Sequence, residues 1–210
     1  MTTLDLLFPV VGTKLPTDHG YPLYSCVSRL LPGLHDGSVP FALLPITGQY
    51  VGNGLLVIDP TRSRLRLRVA TVDVPRVLPL AGKCLDLMGH RLRLGVPRVV
   101  ILRPAPTLNA RSVTFKNSTQ AEPFLMRAQA ELARLGIRGQ PQVPPHTTPQ
   151  GRVEPRRHVL RVKQTRIVCF SLRVEGLSPE DSLRLQETGL GGRRHMGAGV
   201  FLPEAPAAHH

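Results

Sequence analysis

The sequence predicts an α+β chain with antiparallel sheets, in which a β-α-β-β-α-β order runs twice. Three observations carry this. Short apolar or alternating runs bounded by Gly and Pro recur along the chain as strands. Apolar residues at three- and four-residue spacing mark helices between pairs of these runs. The stiff segment Arg103-Pro104-Ala105-Pro106-Thr107 divides the chain near its middle, so residues 1–104 and 108–204 read as two domains.

Residues 4–11 are rich in β-formers and end at Gly12, which makes them the first strand. After a turn at residues 18–21, Pro22 stands near the first position of a helix. Leu23, Val27, Leu30, Leu31 and Leu34 form its buried face, while Tyr21, Ser25, Ser28 and Arg29 fall largely elsewhere, toward solvent or a ligand. Pro32 and Gly33 end it, and His35-Asp36-Gly37 follows as an exposed turn. Residues 39–46 and 55–58 are strands around a turn at residues 48–54. Residues 64–69 alternate strictly: Leu65, Leu67 and Val69 share one face, and three arginines share the other, facing water or nucleic acid. Residues 73–81 read as a short helix with two prolines, and residues 84–88 and 90–102 as strands joined by a tight turn at Gly89.

Beyond the linker, residues 111–116 read as a strand. Residues 122–135 are the clearest helix, with Phe124, Leu125, Ala128, Leu132 and Leu135 on one face and Gly136 as its C-cap. Residues 139–155, rich in Pro, Gln, Thr and Gly, read as a loose loop. Residues 158–163 and 166–174 make a basic hairpin. Ser178-Pro179-Glu180-Asp181 opens a helix that runs to Gly189, with Ser178 as N-cap. Residues 200–202 are the last strand. The order in each half is that of a ferredoxin-like, or RRM-like, fold.

Composition narrows the partner. Lys and Arg outnumber Asp and Glu by 27 to 14, a net charge of +13, which points to a polyanion, with nucleic acid before an acidic membrane surface. No apolar run is long enough to span a membrane. The N-terminus lacks a basic leader, and Asp5 interrupts its apolar run, so a cytoplasmic location is expected. Cys26, Cys84 and Cys169 are odd in number and lie among apolar residues, which fits buried free thiols rather than disulfides or a zinc site. No metal-ligand spacing occurs, and no cofactor or small-molecule substrate is expected.

Residues 189–199 concentrate five glycines with Arg193, Arg194 and His195. Glycines such as Gly191 and Gly192 let backbone approach a bulky partner, and arginine forks match phosphate. The segment is neither a P-loop nor a dinucleotide fingerprint, since no Gly-Lys-Ser/Thr follows and no βαβ unit surrounds it. The hairpin adds Arg156, Arg157, Arg161, Lys163 and Arg166, with Arg157, Arg161 and Lys163 on one strand face and Leu160 and Val162 on the other. A basic hairpin suits A-form RNA, which is read through shape and backbone.

Three stretches carry a family resemblance: Tyr21-Pro22-Leu23-Tyr24-Ser25 through Ser28-Arg29-Leu30-Leu31-Pro32 to Leu34-His35; Leu92-Arg93-Leu94-Gly95-Val96-Pro97; and Val174-Glu175-Gly176-Leu177-Ser178 through Leu183-Arg184-Leu185-Gln186 to Gly189-Leu190-Gly191-Gly192-Arg193-Arg194-His195-Met196-Gly197. In these the chain resembles the CRISPR repeat-processing endoribonucleases, the sixth of the numbered Cas proteins, in the variant named after myxobacterial systems. The third stretch resembles the family's C-terminal glycine-rich signature. The resemblance implies two ferredoxin-like domains in tandem and metal-independent cutting of CRISPR precursor RNA within its stem-loop repeats. In that reaction the RNA's 2′-hydroxyl attacks the adjacent phosphodiester, leaving a 2′,3′-cyclic phosphate and a 5′-hydroxyl. It also implies a guide RNA passed to, or kept in, a CRISPR effector complex.

Such cutting needs a base, an acid and a cation for the phosphorane charge. The resemblance places the catalytic histidine just after the first helix, where His35 stands, and an assisting tyrosine at the helix start, where Tyr21 and Tyr24 stand. The lysine that archaeal members place soon after the histidine is missing, since the next lysine is Lys83; Arg29 or an arginine of the glycine loop takes its place as candidate. His19 is the alternative histidine. His195 is expected to touch RNA rather than to catalyse. His90, His146 and His158 lack supporting neighbours in the sequence. A non-catalytic RNA-binding subunit of a CRISPR complex is the competing reading, and it has no need of His35 with Tyr21 or Tyr24.

Overall fold

A computed structural model describes residues 2–35 and 37–204, without the side chains of Pro32 and His35. Asp36, at the centre of the turn expected after the first helix, lies outside the described residues, as do residues 205–210. The chain forms two compact units. One holds the residues up to Leu102 with Arg161–Thr165 and His195–Gly197; the other holds Arg103–Leu160, Arg166–Arg194 and the residues from Ala198 onward.

The first unit contains β1 (Thr3–Val11), β2 (Lys14–Pro16), α1 (Gly20–Leu30), α2 (Pro32–His35), β3 (Phe41–Leu44), β4 (Gln49–Tyr50), β5 (Leu55–Val57), β6 (Arg64–Ala70), α3 (Val74–Val77), β7 (Cys84–Leu87), β8 (His90–Leu94) and β9 (Arg98–Ile101). Its main sheet runs β9-β1-β6-β3, with every neighbouring pair antiparallel. This is the β-α-β-β-α-β order folded around its first strand. Leu6, Phe8, Val10, Leu23, Val27, Leu65 and Leu67 are at most 1 % exposed and form its core, each burial contributing about 1.5–3 kcal/mol.

The strand expected over residues 90–102 is two strands, β8 and β9. Pro97 cannot donate to a ladder, and Gly95 N–H instead donates to Pro9 O at 2.8 Å. Leu4 to Leu7 of β1 therefore pair with β9, while Val10 and Val11 pair with β8. Residues 55–57 form β5, which pairs with β2 and β4 in a separate three-stranded sheet. The first helix stops at Leu30, because a residue before proline avoids the helical region: Leu31 sits at φ −131°, ψ 88°. After that break the chain turns once more as α2, so His35 ends a helical turn rather than lying in an open one. Leu23, Val27, Leu31 and Leu34 are buried as expected, but Leu30 in the last turn is 36 % exposed and Ser28 is buried.

The arginine face of β6 is not displayed to nucleic acid. Asp5 lies directly across from Arg68, and both are 1 % exposed. Arg68 Nε donates to Asp5 Oδ1 at 2.7 Å, Arg68 Nη2 to Oδ2 at 3.0 Å, and Arg66 Nη1 to Oδ2 at 3.0 Å. Arg64 folds back onto the carbonyls of Pro60, Thr61 and Ser63. The acid that interrupts the first apolar run is thus the partner of two arginines. Cys26 and Cys169 are buried free thiols, but Cys84 is exposed, since the alternation of β7 turns Leu85 and Leu87 inward.

The second unit contains β10 (Leu108–Val113), α4 (Ala121–Arg134), β11 (Gln140–Gln142), β12 (Pro145–Thr147), β13 (Val153–Pro155), most of β14 (Arg157–Val162) and β15 (Thr165–Glu175), then α5 (Pro179–Thr188) and β16 (Leu202–Pro203). Its sheet runs β11-β15-β10-β16, the same order of strands as in the first unit and again antiparallel. Phe124 of α4 packs its ring against Phe115 and Phe170, with centroids 5.2 and 4.9 Å apart. Ser178 caps α5 by accepting from Asp181 N–H at 3.1 Å, and Gly136 follows α4 at φ 67°. Residues 139–155, expected as a loop, hold β11, β12 and β13. A proline at the centre of β11 is compatible with a strand because β11 lies at the sheet edge, where Pro141 needs no outward N–H.

Candidate nucleic-acid interface

The glycine loop is built outward from α5. Gly189 closes the helix with its N–H on Leu185 O and sits at φ 66°, packed so tightly that a Cβ would lie 2.6 Å from Arg194 Nε. The loop then returns along the end of β10. Leu190 N–H donates to Gly199 O, Gly199 N–H to Ser112 O, Gly192 N–H to Thr114 O, and Ala198 N–H to Arg193 O. Four of the amides that a glycine-rich segment could offer a phosphate are thus engaged within the fold. Arg194 Nη2 donates to Glu187 O at 2.7 Å, placing its charge at the C-terminal end of α5, where the helix dipole favours a cation. Gly191, Gly192 and Arg193 are exposed, with Arg193 at φ 63°.

His195 to Gly197 belong to the first unit. The His195 ring lies against Tyr24, with centroids 4.5 Å apart, and 6.3 Å from Phe41. Tyr21, one turn before Tyr24 on α1, is half-buried, and Arg29 is exposed in the helix's last turn. His35 closes α2, and its side chain lies outside the described residues. His19 is fully buried. Its Nδ1 donates to Pro16 O at 2.6 Å, and its Nε2 accepts from Ile46 N–H at 2.9 Å. Both ring nitrogens are occupied by backbone, so His19 joins the segments before α1 and after β3 and is closed to a substrate.

On the hairpin, Arg156, Arg157, Arg161, Lys163 and Arg166 are all exposed. Arg157 and Arg161 share the outward face of β14, and Leu160 and Val162 the half-buried one. Lys163 does not continue that face: it sits in the turn at φ 54°, between the strands. Arg161 also stands 3.6 Å from Asp18, an exposed pair worth under about 1 kcal/mol.

His158 has partners that the sequence gives no sign of, because they come from separate strands. Ser171 Oγ donates its one proton to Arg111 O at 2.8 Å and therefore accepts from His158 Nε2–H at 2.9 Å. Burial, followed by the charges of Arg111, Arg156 and His146, pushes the His158 pKa down to about 4. Between pH 6.5 and 4 the unfolded chain then binds the proton that the folded chain refuses. This contribution is complete above pH 6.5 and is lost as the pH falls toward 4. Acidification across that window is expected to cost about 1–2 kcal/mol through this half-buried ring. His158→Gln should flatten the corresponding part of the stability–pH curve, measured by urea unfolding at stepped pH.

Among the described residues no group of three His, Cys, Asp or Glu gathers as a metal site, and no helix is long and apolar enough to cross a membrane.

The sequence profile of the family described as Cas6 Crispr matches residues 4–205. The CRISPR-associated endonuclease Cas6 of Myxococcus xanthus (strain DK1622) is 40% identical over 208 residues, covering 99% of this chain and 84% of that protein. A solved CRISPR-associated protein Cas6 superposes with a TM-score of 0.64 at 12% identity, covering 97% of this chain and 99% of that one. A Cas6-related protein from Pyrococcus furiosus superposes with a TM-score of 0.67 at 11% identity, covering 95% and 98%. The two superpositions are likenesses of fold.

Proposed function

The chain belongs to the Cas6 CRISPR family, and on that premise we propose that it is the endoribonuclease that cuts CRISPR precursor RNA within its repeats. The observation that carries this reading is the 40% identity, across 99% of the chain, to a protein named as a CRISPR-associated endonuclease. The 2′-oxygen of the nucleotide before the cut bonds to phosphorus as its proton passes to a base. The phosphorus–O5′ bond breaks as an acid protonates the leaving oxygen, giving a 2′,3′-cyclic phosphate and a 5′-hydroxyl. No metal enters these steps. His35 is the proposed base or acid, assisted by Tyr21 or Tyr24, and Arg29 faces the phosphorane charge. Gly191, Gly192, Arg193 and His195 hold the RNA together with Arg156, Arg157, Arg161, Lys163 and Arg166. Arg194 supports them from the end of α5. The product guide RNA passes to a CRISPR effector complex.

Purified protein mixed with its own repeat RNA in EDTA should cut once per repeat and leave the cyclic phosphate. Tight binding without cutting overturns the enzymatic reading in favour of a binding subunit. Arg193→Ala and Arg157→Ala are each expected to weaken binding across unrelated stem sequences and to lower the slope of log affinity against log salt by about 0.7–0.9, as titrations from low to moderate salt would record.

A further inference from the structure

We infer that Tyr24, Phe41 and His195 form a stacking platform for one unpaired base of the bound RNA. The inference rests on the RNA-processing reading above and adds to it the place where a base, rather than a phosphate, is held.

Three rings from distant parts of the sequence meet on the first unit. Tyr24 and Phe41 lie within 19° of parallel at 6.3 Å, and His195 tilts by 50° onto Tyr24 at 4.5 Å. Tyr24 and Phe41 each pack against the core cluster yet are only partly buried, as is His195. Tyr24 and Phe41 are therefore held against the core, His195 lies against Tyr24, and all three keep part of their surface open to solvent. Their supports are rigid. Leu23 and Val27 bury α1 on both sides of Tyr24, and Phe41 lies across from Val69 in the sheet. His195 sits in a 3-10 turn whose next residue, Met196, is buried and whose following residue, Gly197, takes φ 86°. A Cβ on Gly197 would stand 2.5 Å from Pro45 Cδ, so the turn is seated where only glycine fits.

The chemistry of this surface differs from that of the other groups proposed to hold RNA. Two of its three groups are uncharged aromatic rings, with nothing to offer a phosphate, whereas exposed arginines stand on the hairpin and at Arg193. Bases present π-faces and stack on Tyr, Phe and His, and single-stranded RNA is read at such platforms. Stacking tolerates any base but favours the larger purine face, so affinity should fall in the order purine, pyrimidine, abasic. On this assignment the ring of Tyr24, not its hydroxyl, is what RNA binding requires.

The test uses the full chain and repeat RNAs carrying 2-aminopurine at each unpaired position beside the stem in turn. Binding should quench the probe at one position, and an abasic nucleotide there should lower affinity about five- to hundred-fold. Tyr24→Phe should keep the quench and the affinity, while Tyr24→Leu and His195→Leu should lose both. His195→Leu, a change in a half-exposed turn, decides the matter if Tyr24→Leu fails to fold by circular dichroism. Wild-type protein that cuts repeat RNA yet quenches at no position overturns the platform alone, as does quenching undiminished in His195→Leu. Protein that neither binds nor cuts repeat RNA overturns the RNA-processing reading and the platform with it.

Discussion

His35→Ala is expected to slow repeat cleavage by about 10²–10⁴-fold while leaving affinity for uncut repeat RNA nearly unchanged. An imidazole suits both proton transfers because its ordinary pKa lies near neutrality. His35 closes the single helical turn α2, which the Leu31–Pro32 break sets off from α1, the helix that carries Tyr21, Tyr24 and Arg29. Binding should survive because the groups proposed to hold the RNA backbone lie on the hairpin and the glycine loop. Single-turnover cleavage with saturating protein separates the two effects. Undiminished cleavage would transfer the role to His195, since His19 has both nitrogens bound to backbone and is closed from solvent.

Asp5→Ala is expected to destabilise the first unit by about 3–5 kcal/mol, because it leaves Arg68 buried without its counter-ion and removes the acceptor of Arg66. For a unit of this size that corresponds to a fall in Tm of more than about 10 °C. The loss reflects an uncompensated buried charge more than the worth of the pair. Asp5→Leu combined with Arg68→Met should therefore recover much of the stability that Asp5→Ala removes. Thermal melts of the three proteins decide this; a single variant that melts within two or three degrees of wild type would show that the arginines find other partners.

Much of the architecture was legible because it is written in local periodicity. The leucines of α1, the Phe124–Ala128–Leu132 face of α4, the alternation of β6 and the Ser178 cap each involve residues within one element. What escaped depends on distant neighbours. The arginines of β6 read as a solvated or RNA-facing row, yet the partner of Arg66 and Arg68 lies 61 and 63 positions earlier. β2 and β4 have only three and two residues, too few to show a period. β11 is centred on a proline that only an edge position makes acceptable. At the candidate site, Tyr24 and His195 drew notice separately, one for its helix and one for its loop, whereas Phe41 looked like any strand residue. Their association, and that of His158 with Ser171, is a property of the folded chain.

The division of labour along β1 sets a timetable for assembly. Of the described strands β1 is made before the others, but its ladder partners arrive only with residues 64–70, then 90–94, and last 98–101. About a hundred residues must be synthesised before both its edges are filled, and until residues 64–70 appear its leucines and valines have no sheet to join. The second unit repeats the delay: β10 waits for β16, at residues 202–203. Closing such long loops before any non-local contact rewards them makes folding slow relative to a helical chain of this length. The nascent chain therefore spends a long interval with β1, and later β10, unpaired, and those strands are where a chaperone would have much to shield.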